Sequence, residues 1–296
     1  MKTLPVSPDL NHLKKQAKEL LREVLAAEPS ALLRFVENLP AARELTPAEL
    51  THRSLKLHDA QSVIAREYGF ASWAELSQYV AWKQSDRADR LKQWAHWVYI
   101  DQARERRLAM RMLQEEPGLF ATEAMLKEPW IACATGDVAV LSRVLQSAKA
   151  SGWVNQPIGP LKMPPLTAVT HSQIAREPGF EEAMLAAMQL LLEHGANPDS
   201  SWMSPEWKDN PFSALYGAAG RVYSAKMTRA LLQAGANPDD NESLYHSCEG
   251  ADAEVTLSLL DAGATVSGTN ALGRVLDFDK PELLRAMIAH GGDVNE

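Results

Sequence analysis

Residues 231–239 read Leu231-Leu232-Gln233-Ala234-Gly235-Ala236-Asn237-Pro238-Asp239, and three other segments share this phrase in whole or in part. They are residues 191–199, 259–264 and 287–295, and the four equivalent glycines stand 40, 28 and 28 residues apart. The apolar pair suits the last buried turn of a helix, and glycine readily takes the positive φ with which many helices end. The Asn-Pro-Asp that follows in two copies favours a turn. The phrase therefore predicts a series of helices that end in the same turn.

A second recurring element lies upstream of the first. It is clearest in Ser213-Ala214-Leu215-Tyr216-Gly217-Ala218-Ala219 and in residues 164–169, and weaker copies lie at residues 242–248 and 129–134. A serine or proline followed by apolar and small residues is typical of the start of a helix. The small side chains would allow the backbone of a neighbouring element to approach closely. Each repeat is therefore predicted to be a pair of helices.

Together the two elements resemble the ankyrin repeat, in which T-P-L-H-x-A-A is followed after about twenty residues by L-L-x-x-G-A-D/N. The resemblance covers roughly residues 127–296. Residues 13–21 and 59–70 also look like the helical leader of a group of bacterial ankyrin-repeat proteins. The resemblance implies an all-α fold, an ankyrin-repeat solenoid of about five to six helix-hairpin units, preceded by an N-terminal helical region.

The phrase also predicts the domain boundaries. We expect an N-terminal helical capping region at residues 1–90 and an ankyrin-repeat domain at residues 91–296. The expected units, of which the first is degenerate, are residues 91–122, 127–160, 163–199, 210–240, 241–268 and 269–296. The third unit carries an apparent insertion around residues 171–182. Apolar periodicity further predicts a single long helix over residues 87–113.

The charge distribution narrows the class of partner. The chain has 30 basic and 38 acidic residues, a net charge of −8, and the acidic excess follows residue 120. This excess disfavours binding to nucleic acid or to an anionic membrane surface and favours a basic protein partner. No apolar stretch is long enough for a transmembrane helix or a signal peptide, so the expected location is cytoplasmic, with delivery as an effector left open.

The residues that usually carry chemistry do not form a catalytic or metal-binding pattern. Cys133 and Cys248 have no Cys or His at ligand spacing, and we expect both to be small buried residues. His194 and His290 precede the closing glycines, where a histidine interacts favourably with the end of the helix dipole. The basic run around Arg104 is interleaved with acids and is better explained as a solvated helix face than as a nucleic-acid contact. No nucleophile elbow or phosphate loop occurs, so we predict no enzyme activity, no metal and no cofactor.

Aromatic residues give the candidate binding site. Trp202 and Trp207 lie in the loop of residues 200–210, and Trp153 lies in the preceding loop. Tyr216 and Tyr245 occupy the same position in consecutive units, so their rings should be in line. Trp and Tyr are enriched at the residues that dominate protein interfaces. The predicted partner-binding residues, with the tryptophans along one edge and the tyrosines on inner helices, are Trp153, Trp202, Trp207, Tyr216 and Tyr245.

The resemblance implies a function in protein recognition, because stacked repeats present an extended concave surface. We therefore predict a non-catalytic protein–protein interaction module. The first alternative is a regulatory or targeting part of a larger protein or secreted effector whose enzymatic activity lies outside the repeats. The second alternative is a nucleic-acid binder that uses the basic N-terminal helices, which predicts a steep dependence of binding on salt.

Overall fold

The computed structural model describes residues 2–147, 152–204 and 210–295. These residues are mostly helical, which confirms the all-α class. The chain divides into two compact units, Met1–Gln93 and Trp94–Glu296. Each unit is described by itself.

The first unit is a cluster of amphipathic helices. In α1 the residues Leu13, Ala17, Leu20 and Val24 are buried, as their spacing on one helix face requires. The carboxylate of Asp9 begins this helix by accepting the N–H of Asn11 at 2.7 Å. Five helices lie wholly within the unit: α1 (Leu10–Leu25), α2 (Pro29–Asn38), α3 (Pro47–Leu50), α4 (Leu57–Glu67) and α5 (Trp73–Gln84). A sixth, α6 (Arg87–Tyr99), begins in this unit and ends in the second.

The second unit contains five consecutive helix pairs. It begins with α7 (Ala103–Glu115) and α8 (Thr122–Lys127). The pairs that follow are α9 (Trp130–Thr135) with α10 (Val138–Leu145), α11 (Pro165–Thr170) with α12 (Glu181–Glu193), α13 (Ala214–Tyr216) with α14 (Ala225–Gln233), α15 (Ser243–Ser247) with α16 (Ala253–Asp261), and α17 (Ala271–Asp277) with α18 (Pro281–Ala289).

These pairs are arranged in two layers. The first helices of the pairs contact one another in the order α9, α11, α13, α15, α17, and the second helices in the order α10, α12, α14, α16, α18. Two short strands, β1 (Ser201–Trp202) and β2 (Phe212–Ser213), pair antiparallel between α12 and α13. The core between the layers includes Leu231 and Leu259, neither of which is exposed.

The recurring phrase forms the same turn in four places. Gly195, Gly235, Gly263 and Gly291 have φ between +86° and +94°, as the sequence predicts. The residue after each glycine donates its N–H to the carbonyl of the residue four before the glycine, at 2.9–3.0 Å. This bond closes the helix end and places an apolar side chain inward at that position. The four inward side chains, all fully buried, are Leu191, Leu231, Leu259 and Met287.

Each of these turns is also tied to the turn of the preceding pair. In every case a side-chain oxygen of the earlier turn accepts a backbone N–H of the later one. The four bonds are Asn197 N–H to Asn155 Oδ1 at 2.8 Å, Asn237 N–H to Asp199 Oδ1 at 2.7 Å, Thr265 N–H to Asp239 Oδ1 at 2.7 Å, and Asp293 N–H to Ser267 Oγ at 3.1 Å. This ladder fixes the register between neighbouring pairs.

The prediction of one long helix over residues 87–113 is wrong. The chain breaks between Tyr99 and Ala103, and α7 folds back so that the Trp94 indole donates to the Ala109 carbonyl at 3.0 Å. Residues 15 apart in a straight helix would be separated by about 22 Å, so this bond requires the break. Burial of Trp94 outweighs the local preference to continue the helix.

Candidate functional site

The hairpin of β1 and β2 forms one wall of the candidate site. Ser201 lies opposite Ser213 and Trp202 opposite Phe212. Trp202 does not project freely, because its indole Nε1 donates to the Leu161 carbonyl at 2.7 Å and its side chain is half-buried. Trp207 lies outside the described residues, so its predicted role stays a prediction.

Five rings follow one another from the hairpin onto the helices, and we call them the aromatic row. The distances between successive ring centroids are 6.3, 5.0, 5.2 and 4.8 Å, and each ring is inclined to the next. Tilted rings at these separations attract one another. The aromatic row consists of Trp202, Phe212, Tyr216, His246 and Tyr245.

Three of the five predicted binding residues, Trp202, Tyr216 and Tyr245, belong to this row, and Trp153 lies outside it. Tyr216 ends α13 and is almost wholly buried, whereas Tyr245 in α15 is half-buried. Their rings do not touch, since each contacts His246 instead. Trp153 is half-buried in the short helix Trp153–Asn155, and no ring contact joins it to the row among the described residues.

A cavity of about 630 Å³ lies beside the aromatic row. Its volume falls within the range of known ligand sites, roughly 300–1,000 Å³. The lining combines aromatic rings with a few polar and charged groups, the usual composition of a binding pocket. The lining residues are His96, Tyr99, Ile100, Asp101, Leu161, Trp202, Ser204, Asn210, Phe212, Tyr216, Arg221, Glu242 and His246.

The backbone between α13 and α14 contributes one residue, Arg221, to the cavity lining. Residues Gly217–Val222 form a π-helical turn, a feature that often occurs at functional sites. A Cβ on Gly217 would lie 2.5 Å from the His171 ring, and a Cβ on Gly220 would lie 2.6 Å from the Tyr216 ring. The small residues of the sequence motif are thus required for close approach, as predicted. The turn also brings Arg221 to the cavity, which the sequence did not reveal.

His171 packs against the aromatic row in its neutral form. It is 1% exposed, its ring stacks on Phe212 with centroids 6.2 Å apart, and its Nε2 donates to the Ser213 carbonyl at 2.8 Å. Burial, followed by the positive charge of Arg221, lowers the pKa of His171 to about 3. His171 is therefore uncharged at neutral pH and joins the helix layer to the hairpin.

Arg221 is the lining cation that lacks an acidic partner. Its Nη2 donates to the Tyr99 carbonyl at 2.7 Å, and its buried Nε has no hydrogen-bond partner. No described carboxylate lies within ion-pair distance of its guanidinium. The arginine is held in place by neutral groups, the Tyr99 carbonyl and the side chain of Tyr216.

Two acidic side chains around the cavity pair with arginines, and a third lies beside a histidine. Asp101 accepts from Arg176 at 2.8 Å. On the other side, Glu249 accepts from Arg274 at 2.7 Å and lies 2.7 Å from His246 Nδ1. Glu242 lies 3.4 Å from the other nitrogen of the same imidazole. Although the chain has a net negative charge, the cavity is consequently not lined by unpaired acidic side chains alone.

No group of three potential metal ligands comes together among the described residues. Cys133 and Cys248 are buried thiols, as predicted, and burial raises the pKa of Cys248 to about 11. In the basic run, Arg104 pairs with Glu105, and Arg106 pairs with Glu177 at 2.7 Å. None of the described helices is both long and apolar enough to cross a membrane.

No family model matches this chain, and no curated protein is significantly similar to it.

Proposed function

We propose that the second unit is an array of ankyrin-type repeats that acts as a non-catalytic protein-interaction module. Support for the repeat type comes from the five helix pairs, the four equivalent glycine turns and the hydrogen-bond ladder between them. Support for recognition comes from one observation above all, the aromatic row beside a large cavity. Half-buried aromatic side chains are the usual anchors of protein interfaces.

The contacts of two imidazoles at the site fit a binding protein. His171 is neutral and already bonded, and His246, one of two histidines in the lining, lies between the carboxylates of Glu242 and Glu249. Among the described residues, neither of these two arrangements presents a nucleophile next to a base. The net charge of −8 favours a basic partner at long range, while local recognition depends on the row and the cavity.

The test compares the proteins that are captured by the wild-type chain and by two variants. Tyr245→Ala removes the outer end of the aromatic row. Phe278→Ala is the matched control, because both rings contact Arg274, at 5.2 and 4.9 Å, and only Tyr245 belongs to the row. We expect a protein retained by the wild-type chain and by Phe278→Ala to be lost with Tyr245→Ala. Equal retention by all three chains would contradict recognition through the row.

A further inference from the structure

We propose that the cavity binds a side-chain carboxylate of the protein partner. The carboxylate forms an ion pair with Arg221, and an apolar residue next to that acid in the partner packs on the aromatic row. This proposal rests on the proposed function, since it names the chemistry of the segment that the row binds.

The side chain of Arg221 suits a carboxylate ligand. It lines the cavity, its Nη2 donates to the Tyr99 carbonyl, and its other side-chain contact is a hydrogen bond with Tyr216, which is neutral. The guanidinium presents its donors in a planar fork that matches a carboxylate, often through two parallel hydrogen bonds. A carboxylate in the cavity would accept from the guanidinium and neutralise its charge.

The neighbouring acidic side chains do not pair with Arg221. Asp101 is held by Arg176, and Glu249 is held by Arg274. Glu242 is the acid of the lining closest in sequence to His246, and its carboxylate lies 3.4 Å from that imidazole. Arg221 lines the cavity, and no described carboxylate neutralises it. An acid that enters the cavity can therefore form an ion pair with Arg221.

The course of the aromatic row indicates that a side chain, rather than the end of a chain, supplies the carboxylate. The row runs from Trp202 in the hairpin past the cavity to Tyr245 in the next helix pair. A segment that contacts both ends of the row must continue beyond the cavity in both directions. Its terminal carboxylate would then lie away from Arg221.

The experiment uses three N-acetylated dipeptides of nearly equal size as probes of the 296-residue chain. N-acetyl-Phe-Glu-amide carries a side-chain acid, N-acetyl-Phe-Gln with a free carboxyl end carries a terminal acid, and N-acetyl-Phe-Gln-amide carries neither. Binding is followed by NMR through the indole N–H signal of Trp202, which is identified by its loss in Trp202→Phe. Each titration is repeated on Arg221→Gln and on Arg229→Gln, an exposed arginine that pairs with Glu254 outside the cavity.

We expect the wild-type chain to bind the glutamate peptide about tenfold more tightly than the neutral peptide, which corresponds to about 1.4 kcal/mol. Arg221→Gln should abolish this preference, and Arg229→Gln should keep it. Equal binding of the glutamate and neutral peptides, absence of any shift of the Trp202 signal, or tighter binding of the terminal acid than of the glutamate peptide would each overturn the proposal.

If Arg221→Gln does not fold, a second variant tests the role of Arg221. Arg221→Lys keeps the charge and a donor for the Tyr99 carbonyl but loses the planar fork. We expect its preference for the glutamate peptide to fall about threefold or more relative to the wild-type chain, and an unchanged preference would contradict recognition by the guanidinium. The two proposals can fail separately. If Tyr245→Ala abolishes partner capture while the peptides show no preference for glutamate, the interaction function stands and the carboxylate proposal falls.

Discussion

The carboxylate of Asp239 accepts the backbone N–H of Thr265 at 2.7 Å and its hydroxyl at 3.0 Å, and so joins the turns that close two neighbouring helix pairs. Equivalent bonds join the turns before and after it. Because an unpaired backbone N–H needs a partner, each bond favours one register of the stack over its alternatives.

Replacement of Asp239 by alanine should therefore destabilise the chain. Two hydrogen bonds are lost, one of them to a backbone donor, and we expect a fall of about 1–3 kcal/mol in the free energy of unfolding. Asp261→Ala is the control, since Asp261 is 79% exposed and should change stability by less than about 0.5 kcal/mol. Urea unfolding of both variants checks this. Equal stabilities would mean that the ladder does not hold the pairs together.

The apolar residues of the recurring phrase should contribute more than the ladder does. Leu231 and Leu259 are completely buried between the helix layers. We expect Leu231→Ala or Leu259→Ala to cost about 2–5 kcal/mol, through lost burial and the cavity that remains. Leu257→Ala removes a leucine of α16 that is 36% exposed and should cost clearly less. Denaturant unfolding that shows a loss below about 1 kcal/mol for both buried positions would contradict this packing.

His171 should make the stability of the chain fall in acid. Its pKa in the folded chain, about 3, lies below the usual 6.5 that it regains on unfolding. As the pH falls below 6.5 the unfolded chain takes up a proton that the folded chain does not, so stability decreases until the pH approaches 3. Between pH 6.5 and 5 the loss is about 1.6 kcal/mol.

The variant His171→Gln isolates this contribution. It should lower stability at neutral pH, because packing is lost, but its stability should fall less steeply between pH 6.5 and 5 than that of the wild-type chain. His194→Gln is the comparison variant, since it changes an exposed histidine that bonds to the Leu190 carbonyl of its own helix. Unfolding curves at a series of pH values provide the comparison. Parallel pH profiles for His171→Gln and the wild-type chain would show that His171 is not buried in its neutral form.

The sequence predicted those features that depend on local chemistry. The positive φ of Gly235 and the burial of Leu231 follow from residues within one turn of each other, and both predictions are confirmed. The burial of Cys133 was predicted from its place among small apolar residues.

The features that the sequence did not reveal depend on residues far apart in the chain. Trp202 turns inward because its indole meets the Leu161 carbonyl, 41 residues away. His171 looked like part of an insertion, and only packing against Phe212 shows that it supports the site. Arg221 reaches the cavity through a π-helical turn, for which the surrounding residues give no distinct pattern.

The aromatic row is proposed as a protein-binding surface, and calorimetry with a purified partner measures how much the row contributes to binding. The partner is a protein that both the wild-type chain and Phe278→Ala retain. We expect Tyr245→Ala to weaken its binding by about 2 kcal/mol, roughly thirtyfold in Kd, with little change in Tm, and Phe278→Ala to bind like the wild-type chain. A Kd that is the same for Tyr245→Ala and the wild-type chain would contradict the claim.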